Sequence, residues 1–184
     1  MLFLTSSQNL LLLNIDTNQI SNPKTEISSY KQNLELFKEK SILGNNESSW
    51  MELQEVGRYD QSGVPEKFVT YGIYGFLADK DGGLKIFDIQ DLKHPEIISS
   101  YQNDNNVWDV VVESSFIFLA NGYGGVSILN FDLPSNPELV STVTGIGNIR
   151  CLVKAGGFLY AGGFNGYYTM NITDPYQPSL LQSH

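Results

Sequence analysis

The 184-residue chain has few of the residues that build disulfides and metal sites. Its single cysteine, Cys151, excludes an internal disulfide, and the two histidines, His94 and His184, leave no Cys/His set for structural zinc. No apolar run reaches the roughly 18 residues of a transmembrane helix, so no membrane insertion is predicted. The start of the chain also lacks the basic segment and cleavage site of a signal peptide, so no export signal is predicted.

Basic residues are scarce as well. Eleven Lys and Arg stand against 20 Asp and Glu, which gives a net charge of −9. A protein that neutralises phosphates needs the opposite sign, so nucleic acid is excluded as a partner. The hydrophobic content of 41% is that of a globular chain, and residues 1–184 are predicted to form a single domain.

The chain does contain a repeat of about 40 residues. Residues 76–101 and 118–143 align so that an alanine, a double glycine and a proline each recur after 42 positions. A third copy, at 159–183, aligns when Ala161 is set 41 residues after Ala120. A more divergent copy opens the chain, with Thr5 at the alanine position. A fixed period of this length is typical of repeat architectures.

Each copy alternates apolar and polar positions with period two, which predicts strands, and glycine-rich clusters between them predict hairpin turns. Four strands per copy form a sheet with two apolar faces, so neighbouring sheets must stack face to face. The predicted fold is therefore an all-β propeller of about four blades, each with four antiparallel strands.

The first blade is predicted to be incomplete, because only Met1 precedes its second strand. An insertion interrupts this blade, and the spacing of Tyr30, Leu34, Phe37 and Ser41 predicts a short amphipathic helix inside it. The chain is then either an open arc or a fragment of a larger propeller, and self-association through its open blade edges is expected. The predicted limits are 2–23 plus 51–60 for blade 1 with insertion 24–50, 64–101 for blade 2, 107–143 for blade 3, and 148–183 for blade 4.

The repeat resembles the LVIVD repeat, a β-propeller repeat of bacterial and archaeal surface proteins. Its unit has a "GGL-x-I-x-D" run followed by a proline turn and "PE-L-V-x-S-Y". The stretch from Gly82 to Ile89 followed by Pro95 to Tyr101 is close to this pattern, and the run from Gly124 to Asn130 carries asparagine in place of the aspartate. The resemblance implies a propeller and a cell-surface or extracellular location, although the missing export signal leaves the cytoplasm open.

Three charged residues occupy one repeat position when the chain is counted back 11 residues from each alanine. They are Lys67, Asp109 and Arg150, near the start of each innermost strand and so near the central funnel. They are predicted either to pair as ions between blades or to line a binding pocket. Aromatic residues in or beside turns can stack on a sugar or anchor a protein partner. These are Trp108, Tyr123, Tyr167, Tyr168 and Tyr176.

No catalytic, metal or cofactor motif accompanies the repeat. The Asp79-Lys80-Asp81-Gly82 turn departs from a calcium loop because Gln90 stands where a bidentate glutamate is needed. The predicted function is a non-catalytic binding or scaffolding module for a protein or carbohydrate partner, presented on the blade rim or the funnel. Two alternatives remain: an enzyme that uses Lys67, Asp109 and Arg150 in the funnel, and a truncated propeller without independent function.

Overall fold

The computed structural model describes residues 2–6, 9–14, 54–60 and 64–183. These residues contain fifteen strands and no helix. The strands are β1 (Leu2–Ser6), β2 (Asn9–Asn14), β3 (Gln54–Asp60), β4 (Lys67–Tyr71), β5 (Tyr74–Ala78), β6 (Leu84–Asp88), β7 (Glu96–Tyr101), β8 (Asp109–Glu113), β9 (Phe116–Ala120), β10 (Val126–Asn130), β11 (Glu138–Val143), β12 (Ile149–Ala155), β13 (Phe158–Gly163), β14 (Gly166–Asn171) and β15 (Ser179–Ser183).

The strands form four antiparallel sheets in chain order, which we number as blades 1 to 4. Blade 1 has three strands, β1 to β3, and blades 2, 3 and 4 have four strands each. This confirms the predicted all-β architecture, and the described residues of the first sheet supply three strands. The predicted insertion 24–50 and its helix lie outside the described residues, and the assignment of the whole chain to one domain stays a prediction.

All four blades share an irregularity at the same place. The pairing of the third strand with the outermost strand shifts register at Ile86/Phe87, Ile128/Leu129 and Thr169/Met170 in the complete blades. Blade 1 shifts between Leu12 and Leu13, in its corresponding pair of strands. A β-bulge increases local twist, and its recurrence shows that the four copies of the repeat fold alike.

The double glycine of blades 2 and 3 is required by backbone geometry. Gly83 and Gly125 adopt φ of +75° and +77°, values that residues other than glycine rarely adopt. A Cβ at Gly83 would collide with the carbonyl oxygen of Tyr101, and one at Gly125 with that of Val143. The second glycine therefore lets the central hairpin approach the end of the outermost strand.

The blades stack through both faces of blade 3. Along β9, Ile117 and Leu119 pack in a cluster with Phe76 and Ile86 of blade 2. The alternate residues Phe118 and Ala120 pack in a second cluster with residues of blade 4, including Leu152, Leu159, Ala161 and Met170. Because side chains alternate between the faces of a strand, a central blade buries both sets.

Polar contacts repeat between successive blades in the same way. Ser99 of blade 2 donates a hydrogen bond to the carbonyl oxygen of Pro134 at 2.6 Å, and Ser141 of blade 3 donates one to Pro175 at 2.6 Å. Isolated antiparallel bridges join Lys80 to Val107, and Gly122 to Ile149. These equivalent contacts indicate that blade 4 sits on blade 3 as blade 3 sits on blade 2.

The strand register corrects the sequence alignment of blade 4. Asp109 pairs with Ala120 in blade 3, and the corresponding pair in blade 4 is Cys151 with Gly162. The first two strands of blade 4 therefore follow those of blade 3 by 42 residues, and the single deletion lies in the turn between β13 and β14. Arg150 consequently occupies the position of Trp108, one residue away from the position shared by Lys67 and Asp109.

Candidate functional site

A cavity of about 290 Å³ opens between blades 3 and 4, at the end where the innermost strands begin. We call it the blade 3–4 pocket. Its walls come from the segment before β8, the turn between β9 and β10, and the start of β12. The lining residues are Asp104, Asn105, Asn106, Trp108, Asn121, Gly122, Tyr123, Asn148 and Arg150.

Gly122 provides the space for this pocket. Its backbone N–H donates to Ile149 at 3.0 Å and its carbonyl accepts from Ile149 at 2.9 Å, so the turn of blade 3 is tied to the start of blade 4. A Cβ at Gly122 would lie 3.2 Å from Nε1 of Trp108 and 3.4 Å from Oδ1 of Asn148. The equivalent residue in blade 2 is Lys80, whose long side chain reaches over the Trp108 ring.

A stack of cationic and aromatic groups forms one wall. The Arg150 guanidinium carbon lies 3.4 Å from the Trp108 ring centroid and 4.8 Å from that of Phe164. Nε of Arg150 also donates a hydrogen bond to Oδ1 of Asn148 at 3.0 Å. Stacking and hydrogen bonding together fix a planar guanidinium in one orientation. The Arg150 side chain is therefore held in place at the pocket wall.

Asn121 places an unsatisfied acceptor in the pocket lining. The residue is 1% exposed, and its Nδ2 donates a hydrogen bond to Oγ of Ser127 at 2.6 Å. Its Oδ1 is buried and has no hydrogen-bond partner within the part of the chain that the structure describes. Buried polar atoms are nearly always paired, so this oxygen of a pocket-lining residue lacks a donor, which a water molecule or a ligand hydroxyl can supply.

Asp109 lies outside the pocket and connects three blades. Its Oδ2 accepts from the backbone N–H of Leu152 in blade 4 at 2.8 Å, and its Oδ1 accepts from that of Val110 at 2.8 Å. Nζ of Lys67 in blade 2 lies 3.9 Å from Oδ1. Burial raises the pKa of the Asp109 carboxyl above its ordinary value, against the lowering effect of the Leu152 hydrogen bond and Lys67.

The three predicted funnel residues thus separate into two environments. Lys67 and Asp109 form an ion pair between blades 2 and 3, whereas Arg150 lines the pocket between blades 3 and 4. Of the predicted aromatic residues, Trp108 and Tyr123 also line this pocket. Tyr167, Tyr168 and Tyr176 do not line it, and Tyr176 packs edge-on against Phe116.

Sequence reasoning missed the polar residues of the pocket. Asn105, Asn106, Asn121 and Asn148 come from three segments that the fold brings together. The asparagine-rich run at 103–106 gave a compositional signal, but its neighbours in space could not be assigned without the register of blade 4.

Within the described residues, no group of three or more His, Cys, Asp and Glu side chains could hold a metal ion. The same residues include no helix of the length and hydrophobicity needed to cross a membrane.

Comparison with known families finds one match. Residues 66–103 match the LVIVD repeat. The matched segment begins one residue before β4 and ends two residues after β7, so it coincides with blade 2.

Solved structures show the same architecture. The crystal structure of the computationally designed Ika8 protein matches 73% of this chain with a TM-score of 0.58 at 17% sequence identity, and the chain covers 42% of it. The N-terminal domain of Nup159 matches 99% of this chain with a TM-score of 0.53 at 9% identity, and the chain covers 40% of it. At these identities the likeness shows the fold alone, which is that of a β-propeller. No curated protein matches the chain.

The pocket lies beyond the matched LVIVD repeat. All its lining residues fall between 104 and 150, in the segment that leads into blade 3, in blade 3 itself and at the start of blade 4. The LVIVD repeat approaches this region through Lys80, whose Nζ is 4.9 Å from the Trp108 ring centroid. Blade 2 therefore supports the tryptophan in the pocket wall, whereas the residues facing the cavity belong to the copies that follow.

Proposed function

We propose that the chain is a non-catalytic binding module whose blade 3–4 pocket takes a neutral carbohydrate. The observation that carries this proposal is the buried Oδ1 of Asn121, which has no hydrogen-bond partner among the described residues. A ligand hydroxyl that donates to this oxygen would satisfy it and recover the cost of burying an unpaired acceptor, about 1–3 kcal/mol.

The chemistry of the lining supports a polyhydroxyl ligand. Amide side chains offer both donors and acceptors, and a hydroxyl group also acts as both. Asn105, Asn106 and Asn148 surround the cavity together with Asn121, so several hydroxyls can be matched at once. The cavity, at about 290 Å³, lies at the lower end of the size range of small-molecule sites, roughly 300–1,000 Å³.

Charge and aromatic surface favour a neutral sugar. The Asp104 carboxylate lines the pocket, and the net charge of −9 repels anions at long range. The Arg150 guanidinium is stacked on Trp108, and one of its five N–H donors, on Nε, is engaged with Asn148. Tyr123, 80% exposed at the rim, provides an aromatic ring on which a sugar can stack.

Trp108 provides a direct readout of binding. The chain has two tryptophans, so a Trp50→Phe background leaves Trp108, in the pocket wall, as the sole tryptophan, which is excited selectively at long wavelength. Titration with a panel of neutral mono- and oligosaccharides is expected to give a saturable change in its fluorescence. Asn121→Ala is expected to weaken binding about tenfold, because one hydrogen bond worth roughly 1–1.5 kcal/mol is lost.

Ser127→Ala is the matched control for Asn121→Ala. Both variants remove the hydrogen bond between Asn121 and Ser127, but only Asn121→Ala removes the orphaned oxygen. Affinity in Ser127→Ala is therefore expected to stay within about threefold of the parent. Equal losses in the two variants, or no saturable response to any saccharide, would refute the proposal. Turnover of a saccharide would instead favour the enzyme alternative.

A further inference from the structure

We propose that the sugar bound in the blade 3–4 pocket carries an acetamido group, whose carbonyl oxygen accepts hydrogen bonds from Arg150 and Trp108. This inference rests on the proposed function, because it specifies which class of neutral sugar the pocket takes. The wall formed by these two residues carries it. Indole and guanidinium groups have N–H donors and no acceptor, so this wall matches a ligand group that only accepts.

Arg150 presents its donors in a fixed plane. Its Nε donates to Oδ1 of Asn148 at 3.0 Å. The N–H groups on its terminal nitrogens have no hydrogen-bond partner in the part of the chain that the structure describes. The guanidinium carbon lies 3.4 Å from the Trp108 ring centroid, so stacking already restricts the side chain. Little conformational freedom is then lost when these donors bind a ligand.

The indole N–H of Trp108 is a second donor at this wall. A Cβ at Gly122 would lie 3.2 Å from Nε1 of Trp108, so the glycine leaves space beside this nitrogen. Among the residues described, none accepts a hydrogen bond from Nε1. A ligand oxygen that enters the space beside Gly122 can therefore accept from the indole.

A carbonyl oxygen fits this wall better than a hydroxyl group. It has two lone pairs and no proton, whereas a hydroxyl also carries a proton that needs an acceptor. Oδ1 of Asn148, beside the wall, already accepts from Nε of Arg150. A hydroxyl bound against Arg150 and Trp108 would thus place its proton among donors, which costs binding energy.

The charge of the pocket favours a carbonyl over a carboxylate. Arg150 could bind either group, but Asp104 lines the same pocket and balances its charge. The net charge of −9 repels an anionic sugar as well. An acetamido group supplies the carbonyl without a charge. It also supplies an N–H for an asparagine oxygen and a methyl group that can contact the exposed ring of Tyr123.

Pairs of sugars that differ only by an acetamido group in place of a hydroxyl test the proposal. They are N-acetylglucosamine with glucose, N-acetylgalactosamine with galactose, and N-acetylmannosamine with mannose. Proton–nitrogen NMR titration in the Trp50→Phe background measures binding, because the sole indole signal then belongs to Trp108. We expect the acetamido member of at least one pair to bind about tenfold more tightly than its partner, and to move the indole N–H signal downfield.

Two variants are expected to reduce this preference to less than about threefold. Arg150→Lys keeps the positive charge but loses the planar donors. Gly122→Ala fills the space beside Nε1 of Trp108. Gly156→Ala is the matched control for the second variant, because its φ is +57° against +55° at Gly122 and nothing lies within 4 Å of the added Cβ. Its preference should equal that of the parent.

Asn121→Ala separates this inference from the proposed function. It should weaken both members of a pair to the same extent, because Asn121 is assigned to a ligand hydroxyl. Equal affinity of both members in every pair would overturn the acetamido inference and leave a neutral-sugar pocket. Tighter binding of glucuronic acid, or an indole signal that does not move at saturation with the acetamido sugar, would also overturn it. If no sugar gives a saturable response, the proposed function fails with it.

Discussion

At the scale of single residues, Asp109 is the side chain through which the blades are most closely connected. One carboxylate accepts backbone hydrogen bonds from blades 3 and 4 and lies near a lysine of blade 2. Lys67 and Asp109 occupy the same repeat position in the sequence, and their side chains lie 3.9 Å apart between blades 2 and 3. The more important partner of Asp109, the N–H of Leu152, carries no sequence signal because every residue except proline has this group.

Asp109→Ala is expected to lower the free energy of unfolding by about 1–3 kcal/mol, because the buried N–H of Leu152 is left without an acceptor. Lys67→Ala is expected to cost less than about 1 kcal/mol, because the lysine is half exposed and its attraction is screened by solvent. Urea unfolding of both variants measures the difference. Equal losses would show that the ion pair, rather than the backbone hydrogen bond, is the main contribution.

The same carboxyl gives the fold a pH dependence of definite sign. Burial raises its pKa in the folded chain, so between the ordinary value of 3.8 and the raised value the folded state binds more protons than the unfolded state. The free energy of unfolding should therefore fall as pH rises through this window. Asp79, whose pKa burial also raises, acts in the same direction.

Comparison with Asp109→Asn isolates this contribution. The hydrogen bond with His94 lowers the pKa of Asp91 in the folded chain. A lowered pKa makes the free energy of unfolding rise with pH, which opposes the effect of Asp109. Urea unfolding at several pH values from about 3.5 to 6 is expected to show a less negative slope in Asp109→Asn than in the parent. A more negative slope in the variant would mean that the sign assigned to Asp109 is wrong.

At the scale of the element, the repeat fixes where each hairpin turns. Sequence alignment located the strands of blades 2 and 3 because alanine, the double glycine and proline recur after an unvarying interval. In blade 4 the one-residue deletion could not be placed, since Ala161 resembles Ala120 and glycines stand at 162, 163 and 166. The register shows that Ala161 corresponds to Leu119 instead, and this difference moves Arg150 into the pocket wall.

Gly125→Ala tests why the double glycine is needed. Its Cβ would collide with the carbonyl oxygen of Val143, in addition to the strain of a φ of +77°. Gly145→Ala is the matched control, with φ of +75° and nothing within 4 Å of the added Cβ. The control is expected to lose about 1 kcal/mol of stability and Gly125→Ala at least about 2 kcal/mol more, measured by thermal or urea unfolding. Similar losses would show that backbone strain alone makes glycine necessary.

At the scale of the whole molecule, three four-stranded sheets of the same construction, blades 2 to 4, stack in one orientation. This much follows from the sequence, because the repeat and its period-two alternation require neighbouring sheets to cover each other. The pocket does not follow from it. Its asparagines come from three separate segments, and only the stacking of blade 4 on blade 3 brings Asn121 and Asn148 together.

Side-chain nuclear Overhauser effects at the interface of blades 3 and 4 test this stacking most directly. This stacking requires contacts from the methyl groups of Leu159 and Ala161 to the cluster that contains Val126 and Ile128. Val153 should show no such contacts, because it lies on the exposed side of blade 4. Contacts from Val153 to Val126 or Ile128, with Leu159 exposed, would show that blade 4 is inverted and would contradict both the assigned register and the pocket built on it.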